Sequence, residues 1–176
     1  MRIRDARTAD AADIAGIHVD SWRATYAGIV SPSYLAGLSH QRQKRLWRDV
    51  LSNSNRDKFL LVVENDDGKV LGFAFAGPLR DKDPCYAGEL YAVYFPPECQ
   101  RQGLGTKLIR AIAKRLQKVG IQSMLVWVLA VNPSCHFYEE LGAIQVKRRE
   151  IDVGGTRLSE IAYGLRDIKN LAKRAT

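Results

Sequence analysis

Cysteine is scarce and odd in number. Cys85, Cys99 and Cys135 are scattered through 176 residues, without the paired spacing of a zinc site or a disulfide framework. Histidine is equally thin, and His18, His40 and His136 stand far apart with no metal-binding box among them. No apolar run approaches the roughly 20 residues needed to span a bilayer. Behind the start, Met1-Arg2-Ile3-Arg4-Asp5, no apolar signal core follows. Linkers, repeats and low-complexity stretches are missing as well. These shortages exclude a disulfide-stapled secreted scaffold, a zinc module and a membrane-spanning helical protein. They leave the expectation of a soluble cytoplasmic chain with one core, because the length is too short for two ordinary domains.

What is present is an average globular balance, 46% hydrophobic and 26% charged, with a formal net charge of +8. Such an excess suits a polyanionic partner. Arg101, Lys107, Arg110, Lys114 and Arg115 gather along one segment, and Lys169 to Arg174 form a basic end. That end lacks interleaved aromatics for base stacking. It reads as a loose, solvated tail over 168–176, which argues against a nucleic-acid arm.

The periodicities alternate between strand and helix. Ile3 to Arg7 reads as a short strand. From Asp10, Ile14, Ile17, His18, Ser21, Trp22 and Tyr26 recur on one helical face. Gly28 and Pro32 break it, and Ser31 to Ser39 reads as a loop or a short turn of helix. Leu46, Trp47, Val50 and Leu51 mark a second helix, ending at the polar cluster Ser52 to Asn55. Phe59 to Glu64 and Val70 to Ala76 flank Asn65-Asp66-Asp67-Gly68 as a hairpin. Glu89 to Phe95, apolar on both faces, suits a central strand, stopped by Pro96 and Pro97. A long amphipathic helix follows Gly103 and ends at Gly120. Ser123 to Leu129 is the next strand. Ala143 to Val153 and Thr156 to Tyr163 form a last hairpin through Gly154-Gly155. The order is β-α-α-β-β-β-α-β-α-β-β, an α+β layering around a mixed sheet.

Two motifs sit at the joints. Gln100-Arg101-Gln102-Gly103-Leu104-Gly105-Thr106 links a strand to a helix. Backbone N–H groups are left unpaired at such a helix start, with the positive end of the dipole behind them. Gly103 and Gly105 bring bare backbone close to a guest, which makes phosphate or pyrophosphate the natural ligand. A dinucleotide fingerprint is excluded because Leu108 stands where its third glycine belongs. A Walker loop is excluded because Gly105-Thr106-Lys107 has the wrong order. The second motif is Asn132-Pro133-Ser134-Cys135-His136-Phe137-Tyr138-Glu139-Glu140-Leu141-Gly142. Asn132 reads as an N-cap, Pro133 as the first helical residue and Gly142 as a left-handed C-terminal cap.

With Gln-x-x-Gly-x-Gly after the central strand and Asn…Phe-Tyr-Glu-x-x-Gly after the next, the chain resembles the GNAT family of acetyl-coenzyme A-dependent N-acetyltransferases. The likeness in element order covers nearly all of residues 1–176. It implies a single domain with a mostly antiparallel mixed sheet flanked by helices. Its fourth and fifth strands would be parallel yet splayed, with the pantetheine arm in the gap. It also implies acetyl-CoA as co-substrate and no metal. Main-chain groups of Arg101, Gln102, Gly103, Leu104, Gly105 and Thr106 would hold the pyrophosphate. Amides of Val93, Tyr94 and Phe95 would receive the acetyl carbonyl and pantetheine, with Asn132 near the sulfur end. Tyr138 would protonate the departing thiolate. From its place at the start of the central strand, Glu89 is the candidate general base, taking the amine's proton directly or through water. Trp22, Tyr26 and Tyr91, with Tyr34 and Trp47 beside them, are the aromatic candidates to line the acceptor pocket.

Two departures stand out. Peptide-acetylating relatives carry a glutamate five residues before the Asn, where this chain has Trp127. They also place the Tyr seven positions after the Asn, whereas Tyr138 follows Asn132 by six. The function the resemblance implies is direct acetyl transfer, in a ternary complex, to a primary amine of a small molecule or peptide. A non-catalytic acyl-CoA-binding or sensing module and a modifier of a ribosomal or other protein stand as alternatives. Dimers are frequent among such proteins, so a homodimer remains open.

Overall fold

The computed structural model describes residues 1–53 and 56–173. Ser54 and Asn55, the end of the polar cluster expected after the second helix, lie outside the described residues, as does the tail beyond Lys173. Strand β1 (Arg2–Asp5) precedes α1 (Ala11–Thr25), α2 (Pro32–Gly37) and α3 (His40–Ser52). Strands β2 (Phe59–Glu64), β3 (Val70–Pro78) and β4 (Gly88–Tyr94) lead into α4 (Leu104–Lys118). Then come β5 (Met124–Leu129), α5 (Cys135–Glu140), β6 (Ile144–Val153), β7 (Thr156–Leu165) and α6 (Lys169–Lys173). The described strands form one sheet in the order β1-β2-β3-β4-β5-β7-β6. Every pairing is antiparallel except β4 with β5.

The apolar stripe of α4 (Leu108, Ile109, Ile112, Leu116) is buried against one face of the sheet, with Leu61, Leu90, Met124, Val126, Ile161 and Tyr163. On the other face α1 and α3 bury Ile14, Ala15 and Trp47 over Leu60, Val62 and Phe73. Alternation along the strands makes this possible, since successive side chains point to opposite faces. Of the two readings open for Ser31 to Ser39, a loop or a short turn of helix, the helix holds: Ser31 Oγ accepts from the Tyr34 N–H (3.4 Å), and Pro32 occupies the first turn of α2. Asp10 does flank α1, but its carboxylate does not cap it. The oxygens bind the Arg4 guanidinium (2.7 and 2.9 Å) and the Arg7 N–H (2.7 Å). Nor does the chain loosen at residue 168, because Ile168 and Leu171 are buried in the α4-side core. These two apolar residues outweigh the basic character of that end.

The pairing of β4 with β5 is short. It runs from Gly88↔Met124 to Leu90↔Val126 and stops. The cause lies on the other edge of β4, where the register with β3 slips from Ala76↔Leu90 to Phe75↔Ala92. Tyr91 is the extra residue of a bulge, and a bulge bends its strand and increases the local twist. Past Leu90 the two strands therefore part. The β5-facing backbone of Val93 and Tyr94 has no strand partner among the described residues. At the end of β4, Phe95 is wedged over Gly72. A Cβ there would come 2.2 Å from the Phe95 ring, so only glycine admits the wedge.

Candidate active site

Because β4 and β5 are parallel and part toward their C-terminal ends, connectivity delivers both motifs to the open end of the fork. The 101–106 loop leaves from β4, and α5 follows β5. The loop is held from beneath. Gln100 Nε2 donates to the Phe95 carbonyl (2.8 Å), and Gln102 Nε2 donates to the Glu98 carbonyl (2.8 Å). Gly103 takes φ +73° and Arg101 takes φ +57°, a left-handed conformation that costs a non-glycine residue about 1–2 kcal/mol. Strain of this kind persists where surrounding structure enforces it, and it clusters at ligand clamps. Among the described residues no side chain caps the N-terminus of α4. The N–H groups of Arg101 through Thr106 donate to no backbone acceptor outside the helix among the described residues. Arg101, Gln102 and Gly103 are exposed. This is an open cradle of amides at the positive end of a 15-residue helix.

The two glycines of the loop have different duties. A Cβ on Gly103 would meet nothing within 4 Å, so its bareness serves solvent or a guest. A Cβ on Gly105 would lie 3.3 Å from the Phe137 ring. Gly105 therefore lets α4 and α5 approach each other, a packing role that its sequence reading as a ligand-facing glycine missed.

Helix α5 starts two residues later than Asn132-Pro133 implied. Ser134 is the N-cap, and Asn132 Oδ1 accepts from the Ser134 N–H (2.8 Å) to close the turn before it. Asn132 Nδ2 donates to the Tyr26 hydroxyl (2.8 Å). That bond fastens the end of α1 to the β5–α5 turn and occupies the Asn132 amide with protein. Gly142 has φ +87° and ends α5 as expected. Tyr138 is buried in the α4-side core, in the same cluster as Phe95, Leu104 and Val128. Its ring stacks on Tyr163 (5.9 Å between centroids, 29°). The Tyr163 hydroxyl in turn donates to Glu139 (2.8 Å) and accepts from Gln145 Nε2 (3.1 Å). The Tyr138 hydroxyl makes no hydrogen bond to the described residues. Burial first, then the neighbouring Tyr94, Tyr26 and Cys135, pushes it far above the ordinary tyrosine range, so it stays protonated. The Cys135 thiol points back to the Leu129 carbonyl (3.7 Å) and is itself raised by burial. It is not a poised thiolate.

The aromatic candidates separate. Trp22 is half-buried and donates from Nε1 to the Tyr94 hydroxyl (2.9 Å). Tyr26 is buried in a cluster with Val30, Leu35, Leu129 and Val153, and Tyr34 packs at its edge. Tyr91, in the bulge, packs on Phe75 (5.0 Å) and lies under the Arg80 guanidinium (5.1 Å). Trp47 is a core residue with Phe73 and does not line the cleft. Glu89 is brought to the closed end of the fork, opposite Leu125. Both its oxygens bond Arg80: Oε2 accepts from the backbone N–H (3.2 Å), and each oxygen accepts from Nε (3.1 Å). The ion pair holds the Arg80 guanidinium above its ordinary range.

Two charged residues here escaped the sequence reading. Glu160 lies on β7 opposite Leu129 of β5 and Arg149 of β6. Arg149 donates to its Oε2 from Nε and Nη2 (both 2.8 Å) and stacks over Trp127 at 4.0 Å. Neither residue stands in a motif, and only strand register brings them together.

Behind Tyr94, His18 stacks on the phenol ring (4.8 Å) and faces Trp47 and Phe73. Burial holds its imidazole down to about 4. Unfolding restores an ordinary value near 6.5, so the unfolded chain takes up a proton first as pH falls. Its contribution is intact above pH 6.5 and is lost between 6.5 and 4, by at most about 3 kcal/mol. Urea unfolding across that interval is expected to show a slope that His18→Phe removes. Parallel curves for the two proteins count against a neutral buried His18.

A family model described as FR47-like protein matches residues 81–151, which contain both motifs. The chain is 38% identical to the uncharacterised N-acetyltransferase YuaI of Bacillus subtilis, over 97% of this chain and 96% of that one. Among solved structures, the PaiA N-acetyltransferase of Thermoplasma acidophilum in complex with coenzyme A superimposes with a TM-score of 0.67. It shares 24% identity and covers 91% of this chain and 96% of its own. YncA of Salmonella typhimurium, determined with acetyl-CoA, gives 0.70 at 23% identity, covering 100% and 96%.

Proposed function

The chain belongs to the GNAT family of N-acetyltransferases, and on that premise we propose that it moves an acetyl group from acetyl-CoA to a primary amine of a small molecule or peptide by direct attack. When bound, the thioester supplies an acetyl group already activated for transfer, so the protein's work is positioning and proton handling. The uncapped amides of Arg101 to Thr106 would hold the pyrophosphate. The β5-facing edge of the backbone at Val93 to Phe95, which pairs with no strand among the described residues, would take the acyl carbonyl and the pantetheine amide. Tyr138, kept protonated by burial, would give its proton to the leaving sulfur. Trp22 and Tyr91 would flank the acceptor from the α1 side of the sheet.

One observation supports this reading: the 101–106 loop follows β4 and the helix that carries Tyr138 follows β5, at the open end of the same fork. Free-thiol release from acetyl-CoA over a panel of polyamines, amino sugars, amino acids and peptide N-termini tests it. At least one amine is expected to accelerate release well above the water background. If calorimetry finds no acetyl-CoA binding, the reading fails.

A further inference from the structure

We propose that Glu160 is the group that takes the acceptor's proton, with Arg149 as the residue that positions it. The inference rests on the acetyl-transfer reading and adds a residue to it. The parallel fork opens toward Leu129, and Glu160 is the direct partner of Leu129 on β7. Glu89 is opposite Leu125 at the closed end. Four residues of strand at roughly 3.3 Å each separate those two levels by about 13 Å. No single water spans that gap.

Side-chain alternation decides the face. Ile161 and Tyr163 point to α4. Leu158 and Ala162, in step with Glu160, pack on the opposite side, Leu158 with Trp22, Tyr26 and Tyr34, and Ala162 with Trp127 and Tyr86. Glu160 therefore stands between the aromatic group of α1–α2 and the platform of Trp127. Its side chain is 15% exposed, enclosed enough to matter and open enough to be reached. Arg149 engages only Oε2. Oε1 accepts no hydrogen bond from the described residues. The Glu160 charge reaches the fork itself. The Tyr94 hydroxyl is held above its ordinary range by burial first and by Glu160 and Tyr34 further, with Trp22 opposing. Tyr26 is raised by burial and by the same neighbourhood.

An acceptor amine arrives as an ammonium. One N–H bond breaks, its electron pair stays on nitrogen and the proton binds Oε1. That pair forms the C–N bond while the C–S pair leaves on sulfur, which takes the Tyr138 proton. Glu160 passes its first proton to solvent and accepts the second N–H proton as the amide forms. Glu160 then gives the second proton to solvent as well and solvent restores Tyr138, so one proton is released net per turnover. Arg149 holds the carboxylate aimed, while Trp127 packs against the guanidinium.

Glu160→Gln and Glu89→Gln are compared with whichever panel amine the enzyme accepts. Glu160→Gln is expected to lower kcat about 10²-fold, keep the KM for acetyl-CoA within about twofold, and lose the acidic limb of the pH–kcat/KM profile. Glu89→Gln should keep that limb. Arg149→Met should lower kcat as well, and Arg149→Met with Glu160→Gln should fall no further than Glu160→Gln alone, as one unit does. Independently of any acceptor, a water-soluble carbodiimide with glycine ethyl ester, mapped by mass spectrometry on the intact protein, should derivatise Glu160 and spare Glu89. Wild-type kcat and profile in Glu160→Gln, or modification of Glu89 in preference to Glu160, overturns the proposal. Absence of acetyl-CoA binding overturns the acetyl-transfer reading instead, and the carbodiimide result still decides which carboxylate is reachable.

Discussion

Tyr138→Phe is expected to lower kcat by about 10²-fold or more while leaving the KM for acetyl-CoA nearly unchanged. The ring stays, so its packing with Phe95 and its stack on Tyr163 survive. Only the hydroxyl is lost, and with it the proposed proton donor to the leaving sulfur. General acids contribute on the order of 10²–10⁴-fold. Since burial keeps this hydroxyl protonated far beyond the ordinary tyrosine range, its own ionisation should impose no fall in kcat below pH 10. Steady-state kinetics at saturating acetyl-CoA, with calorimetry for binding, checks both parts. Wild-type turnover in the variant would leave Tyr138 as a core residue and nothing more.

Gly103→Val is expected to act on the other substrate term. It should raise the KM for acetyl-CoA by about tenfold or more and spare kcat at saturation. Two physical effects combine. At φ +73° a branched side chain is strained by about 1–2 kcal/mol. It also projects into the space over the amide cradle, where the protein offers no contact within 4 Å. Loss of one hydrogen bond to a charged group is worth about 1.5–3 kcal/mol, and each 1.4 kcal/mol is tenfold in affinity. Gly103→Ala separates the effects, because it carries the same backbone strain with far less bulk. An affinity equal to wild type in Gly103→Val removes the pyrophosphate from this loop.

The parts of the site that were legible in the chain are those made by neighbours in sequence. A loop ending in Gly103 before an apolar stripe has few other outcomes than an uncapped helix start. Gly142 and Gly120 end helices because a left-handed residue is needed there, and both take positive φ. Asn132 reads as the N-cap of α5, yet the cap is Ser134; Asn132 closes the turn before it, and its amide is also drawn to the Tyr26 hydroxyl from α1. The end that reads as a loose basic tail departs from that expectation for a similar reason. Ile168 and Leu171 find a groove beside α4 that no local pattern announces.

Glu89 reads as a candidate base from its place on the central strand, whereas its ion pair with Arg80 comes from the strand end and is seen only in the structure. Glu160 carries no motif at all. Composition and periodicity by themselves determined a one-core α+β chain, the amide cradle and the tyrosine helix, since these depend on backbone conformations that adjacent residues dictate. The fork, the duty of Gly105 and the meeting of Glu160 with Arg149 were decided only in three dimensions. Each depends on strand register or on a ring from a distant element, and a bulge of one residue at Tyr91 is enough to change which side chains share the cleft.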